Sequence, residues 1–251
     1  MHPSIANQPI ANLLHADQKW ALGLHGYGIS LFGDSEQTLT QACKARGLSV
    51  ANLVASLEAQ AAQRQAEPNL EAYPTHLVIA YLRHAHHLFI REKLPFIKYL
   101  VANMVPEACG GYANIVADLK VVYPLFAQDF IEHIFEEEDT LFLYIQLLLA
   151  SNGKKTLLGQ AWLQMQKISI AELANAHDGH DDEMQGIRKL SSGYAIEEGM
   201  PLALKVVYHE LRAFEKELLV HARVENTILF PKALHLENYI RTCMSGISRW
   251  N

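Results

Sequence analysis

Cysteine is scarce in this chain. Its 251 residues include three, Cys43, Cys109 and Cys243, scattered and with no Cys-x-x-Cys pair. An odd, dispersed set excludes a disulfide framework and points to a reducing, cytoplasmic compartment. Basic charge is also lacking. The formal net charge is −6, which leaves no electrostatic footprint for nucleic acid. The opening residues, MHPSIANQPIANLL, have no basic stretch followed by a long apolar run, and no transmembrane span is expected further on. No internal strand pattern is found, which excludes a sheet-based fold. The chain is instead rich in apolar residues, at 50%, and in histidine, at thirteen. A large helical core is therefore available.

The stretch His221-Ala-Arg-Val-Glu225, running on into Asn226-Thr-Ile-Leu-Phe-Pro231, organises the rest. At a spacing of four, His221 and Glu225 share one helix face, and Phe214, Leu218, Ile228 and Leu229 lie on the same stripe. A second copy stands upstream as His133-Ile-Phe-Glu-Glu137, followed by Glu138-Asp-Thr-Leu-Phe142. Its stripe holds Phe126, Phe130 and Leu141. A lone His-x-x-x-Glu is usually a solvated surface pair. Two copies on two apolar faces are a different matter, because buried His and Glu are costly unless something satisfies them. Inward His and Glu from facing helices are how helical bundles build metal sites.

Residues 1–65 read as a small helical module. Gly26 and Gly28 break it in the middle, Gly47 stops one helix and Ser49 caps the next. The polar stretch Ala61–Pro68 is the expected boundary, and residues 70–240 form the second domain. Its first helix spans 72–104, with Pro95 kinking or splitting it. The second spans 115–151, with Pro124 near its start and Asn152-Gly153 at its end. The third spans about 157–190. The fourth spans about 201–236, bent near its end by Pro231. Four long helices with short connections predict an all-α, up-down four-helix bundle.

Each bundle helix offers donors to the centre. The first offers His84 and His87, the second His133 and Glu137, the third His177 and His180, and the fourth His221 and Glu225. Imidazoles with carboxylates suit iron, and also manganese or zinc. Four histidines and two glutamates exceed the needs of one tetrahedral zinc. They match two metals with bridging glutamates and one or two coordination positions left for a small molecule.

These residues carry a resemblance. The bundle is similar to the hemerythrin-like, or HHE cation-binding, domain, and the whole chain resembles the di-iron iron-sulfur cluster repair family. The matching pieces are His87-Leu-Phe-Ile-Arg-Glu-Lys-Leu-Pro95, His133-Ile-Phe-Glu-Glu137, Gly179-His-Asp-Asp182 and His221-Ala-Arg-Val-Glu225 through Pro231. The resemblance implies the ligand set His87, His133, Glu137, His180, His221 and Glu225, holding two non-heme irons joined by an oxo or hydroxo bridge. The amino-terminal module also fits the family, through Tyr27-Gly-Ile, Thr38-Leu39, Ala42-Cys43 and Gly47-Leu-Ser-Val50. It departs at one place. Family members usually carry Cys-Cys-Gly-Gly after the Tyr-Gly-Ile stretch, and this chain has Phe32-Gly-Asp-Ser35.

The implied function is a response to nitrosative or oxidative stress, by repair of damaged iron-sulfur proteins or reaction with NO, peroxide or O2 at the two irons. Expected partners are a small diatomic or peroxide ligand and damaged iron-sulfur proteins, with a homodimer left open, and neither membrane nor nucleic acid. Two alternatives stand beside this reading. One is a reversible O2 carrier or sensor of hemerythrin type, which would use five histidines rather than four. The other is a metal-storage bundle without turnover. Around the ligands, Asp129 lies one turn before His133 and could orient its imidazole. Glu136, Glu138 and Asp139 read as a solvated face.

Overall fold

The structure is a computed structural model and describes residues 3–63, 69–152, 155–178 and 183–248. Those residues are all-α, as expected. Among them no strand forms, and one isolated bridge joins Pro9 to Thr38. The long helices fit a helical bundle. No described helix is long and apolar enough to cross a membrane.

The chain divides into two compact units. The first comprises Met1–Pro68, Arg91–Leu125 and Met184–Lys216. The second comprises Asn69–Ile90, Phe126–Glu183 and Glu217–Asn251. The boundary expected at Ala61–Pro68 falls largely on residues 64–68, outside the described residues.

In the first unit, local chemistry sets the short helices. Thr38 and Gln41 form a reciprocal capping box that starts the Leu39–Ala45 helix. Gly47 follows it at φ +67°, a conformation open to glycine without strain. Asp34 is buried and fully employed. It accepts the Ser30 N–H at 2.8 Å and the Gln37 side chain at 3.0 Å, and pairs with Arg46 at 2.7 Å. This clasp includes the Phe32-Gly-Asp-Ser35 stretch, where the resemblance leads to an expected cysteine pair that this chain lacks. His25 packs against Phe96 and Tyr99, with ring centroids 4.8 and 4.6 Å away, and Ser30 bonds the Tyr99 hydroxyl at 2.6 Å. Lys120 donates to the carbonyls of Ala102 and Met104, placing a cation at the end of the Leu94–Asn103 helix where the dipole favours one.

In the second unit, Val78, Leu82, Phe142, Leu148, Leu229 and Ala233 centre one hydrophobic core. The region expected as one third helix is broken here. Helices run Lys155–Met165 and Ile170–Asp178, and a short one, in the first unit, Gln185–Leu190. The break has a local cause. Ser169 and Glu172 cap each other, with Ser169 N–H to Glu172 at 2.9 Å and Glu172 N–H to the Ser169 hydroxyl at 3.2 Å. A Ser-x-x-Glu box begins a new helix rather than continuing an old one.

The expected kinks take a particular form. Three π-helical turns interrupt the long helices, at Phe89–Lys93, Glu138–Phe142 and Glu225–Leu229. Pro95 and Pro231 each follow one of them. A proline cannot donate to the carbonyl four residues back, which is Arg91 or Thr227, so the α ladder fails inside the turn. Thr140 and Thr227 add to this by bonding the carbonyls of Glu136 and Arg223 with their hydroxyls. Beyond Pro231 the helix does not stop near 236 but runs on as Phe230–Ser248. Pro124 sits inside the Ala113–Glu137 helix without ending it.

Candidate metal centre

Every π turn begins at or just after a donor of the second unit. His86 precedes the first by three residues, Glu137 precedes the second directly, and Glu225 opens the third. Single π turns inside α-helices are frequent at functional sites. One ligand atom from each of His86, Glu137, His221 and Glu225 lies within 4.8 Å of every other, and all four residues are buried. Glu225 is fully buried.

The distances are short for groups of this kind. Nε2 of His86 is 3.1 Å from Nε2 of His221 and 3.4 Å from Oε2 of Glu137. His221 Nε2 lies 3.0 Å from Oε1 of Glu225, and His177 Nε2 lies 3.0 Å from its Oε2. His133 stands on the same side as His177, with ring centroids 6.0 Å apart, and its Nε2 is 3.9 Å from Oε1 of Glu183.

Electrostatics agree with a cation site. Burial pushes His86 down to about 4, helped by His221 and opposed by its hydrogen bond to Glu138. Its imidazole is therefore neutral at pH 7, the form that ligates. Burial and the charge of Glu225 hold the Glu137 carboxyl well above the usual range. Burial opposes ionisation of Glu225 too, but His221, Glu137 and His177 outweigh it and keep its carboxyl well below the usual range.

Neither oxygen of Glu225 makes a hydrogen bond of acceptable geometry, and Glu137 Oε1 and His221 Nδ1 also have none. Buried acceptors left this way are costly. Imidazole nitrogens and carboxylate oxygens converging on one point are a donor set a divalent cation satisfies. This group of residues could hold metal.

Of the residues named from the sequence, the structure brings Glu137, His221 and Glu225 into the cluster, with His133 beside it, half-buried. His180 lies outside the described residues. His87 is exposed, as is His84, and His86 points into the cluster instead. The cause is the π turn that follows. Leu94 is buried, and counting back from it along a straight α-helix lands on Arg91 and His87. The π turn adds a residue, so the buried face falls on His86. The observed buried positions Val78, Leu82, His86, Phe89, Lys93, Ile97 and Val101 advance mostly in fours. Asp129 is exposed and does not reach His133 as an inward group. Glu138, read from sequence as solvated, bonds His86 Nδ1 at 2.8 Å. His177, read from the sequence as a further donor one turn before His180, reaches Glu225.

No family model matches the chain. Curated relatives do. It is 26% identical to the iron-sulfur cluster repair protein YtfE of Pectobacterium atrosepticum over 202 residues, 80% of this chain and 85% of that one. The same protein of Pectobacterium carotovorum matches at 26%, and that of Yersinia pseudotuberculosis at 24%, over the same spans. With a buried His–Glu cluster that could hold metal, and similarity along four-fifths of its length, the chain is a distant homologue of the iron-sulfur cluster repair proteins.

Proposed function

We propose that the chain is a cytoplasmic non-heme di-iron protein of the nitrosative and oxidative stress response. One observation carries the dinuclear reading. Glu225 directs one oxygen at His221 and the other at His177, 3.0 Å each, which is the arrangement of a carboxylate shared by two cations. His86, His221 and Glu137 would then hold one iron with Glu225. His177 and His133 would hold the other, with His180, outside the described residues, as a further donor. Iron fits the mixed imidazole–carboxylate set best, with manganese and zinc as the competing metals. Two irons supply one-electron redox steps and exchangeable positions for NO, peroxide or O2. Burial keeps the His86 imidazole neutral, and Glu225 would offer one oxygen to each cation. As oxidoreductase chemistry this would protect or repair damaged iron-sulfur proteins, the role named for the relatives. A helical leading module at 1–65, ahead of a bundle at 70–240, and assembly as a homodimer belong to the same reading.

A second reading has its own support. With His86, His133, His180 and His221, His177 makes five imidazoles, the number associated with hemerythrin-type O2 carriers and sensors. Metal analysis and stopped-flow mixing separate the readings. The proposed protein holds close to two irons per chain and, once reduced, consumes NO or peroxide and is oxidised. Repeated uptake of O2 and its release unchanged under vacuum would favour the carrier. Two irons with no reaction toward any of the three would favour storage.

A further inference from the structure

Glu138 stands next to Glu137 and opens the second π turn. Adjacent residues of a straight α-helix diverge by about 100°. Here the two carboxylates meet opposite edges of one imidazole. Glu137 Oε2 lies 3.4 Å from Nε2 of His86, and Glu138 Oε1 lies 2.8 Å from its Nδ1. The other Glu138 oxygen is 3.6 Å from Nε of Arg83, an ion pair rather than a hydrogen bond. Arg83 sits over the Phe142 ring at 5.8 Å, and the His86 ring stacks on Phe142 at 5.6 Å with an interplanar angle of 5°. The imidazole is thus held on its face by Phe142 and on one edge by Glu138.

A carboxylate only accepts, so Nδ1 must donate, and the Nε2 lone pair is left facing His221 and Glu137. We propose that Glu138 is a positioning residue that fixes the tautomer and angle of His86 toward the metal, with Arg83 orienting Glu138 in turn. The proposal rests on the reading above in which His86 is a ligand. Among the described residues the hydrogen bond of Glu138 into the cluster goes to His86; its charge also acts on the neighbouring Glu137 carboxyl, and Glu138→Gln removes that charge while keeping the acceptor. Groups that orient a ligating histidine in this way typically account for a 10–100-fold difference in metal affinity.

The test compares Glu138→Ala, Glu138→Gln and wild type. Nitrogen–proton correlation spectra of the metal-free proteins report the His86 tautomer. Wild type and Glu138→Gln, whose amide oxygen still accepts, carry the proton on Nδ1, and Glu138→Ala shifts it toward Nε2. Co(II) titration against a competing chelator then gives about 10–100-fold weaker binding for Glu138→Ala, with most of the loss restored in Glu138→Gln. Unchanged Co(II) affinity in Glu138→Ala overturns the proposal. So does a loss shared equally by both variants, or a loss without any tautomer change, since a packing defect alone would give those results. If Glu138→Ala does not fold, Glu138→Leu keeps the bulk and removes the acceptor. Failure of the wild-type protein to take up Co(II) would count against the metal reading itself, while the tautomer comparison would still judge Glu138.

Discussion

Glu137→Gln tests the metal site and the metal-free electrostatics separately. The Glu137 side chain is 6% exposed, and its carboxyl is pushed well above the usual range by burial and by Glu225. Both effects favour the protonated, neutral carboxyl in the metal-free protein, and glutamine has nearly the same shape and charge as that form. The substitution changes at most the character of one hydrogen bond, about 0.5–1.5 kcal/mol. For chains of 150–250 residues, 1 kcal/mol moves the melting temperature by about 2–4 °C. The metal-free variant should melt within about 6 °C of metal-free wild type. The metal-bound comparison differs. A cation at a concentration 100 times its dissociation constant stabilises by about 2.7 kcal/mol, or roughly 5–11 °C on the same scale. Wild type should show that rise on adding Fe(II) without oxygen, or Co(II), and Glu137→Gln should show almost none. Calorimetric melts with chelator and with metal give all four values. A variant that keeps most of the metal-induced rise would refute Glu137 as a ligand. A metal-free variant that melts far below wild type would refute its neutrality.

The other expectations are simpler. His86→Ala should lose bound metal while His87→Ala keeps it, measured as iron per chain after gel filtration; equal retention by both would contradict the inward assignment of His86. Glu225→Ala removes both oxygens shared between His221 and His177, so iron content should fall from about two per chain to below one, and retention of one tight iron with unaltered spectra would argue against a shared carboxylate. Deleting residues 1–65 removes the Ser30–Tyr99 hydrogen bond and the ring packing of His25 on Phe96, so melting should drop. Co(II) should still bind that truncated chain, because the four clustered donors belong to the other compact unit.

The sequence made the helices and half of the donors readable for a physical reason. His133–Glu137 lies on unbroken α-helix, and from His221 the α-helix runs unbroken to Val224, with Glu225 the first residue of the π turn, so the spacing of four keeps its meaning. Glu137, His221 and Glu225 came out inward on that basis. His86 did not, because the stripe through His84 and His87 was counted across Phe89–Lys93, where the period changes. Pro95 was the available signal. It announced a kink, but not that the kink would take up one extra residue. The break in the third helix was not expected, although Ser169-Ile-Ala-Glu172 carries a signal for it, a capping box inside what otherwise reads as continuous helix. Glu138 could not be found from periodicity at all. A straight helix carries it away from the face of Glu137, and only the wider turn lets both reach His86.

The π turns also bear on what keeps the buried donors in place. Glu137 is buried beside Glu225 with one oxygen lacking a hydrogen bond and its carboxyl held well above the usual range, so in the metal-free cluster it is a source of instability. A regular helix could relieve it by turning those residues outward. Thr227 and Pro231 stand against that on the fourth helix, since each removes part of the α ladder the outward register would need. Thr140 does the same after Glu137, and Pro95 does so after His86. Burial on either side holds the ends, through Phe89 and Leu94, Ile134 and Phe142, Val224 and Leu229. The chain therefore fixes its donors inward before any cation arrives. A cation binding there would need little reorganisation, and the stabilisation it provided would fall on residues the fold has already committed.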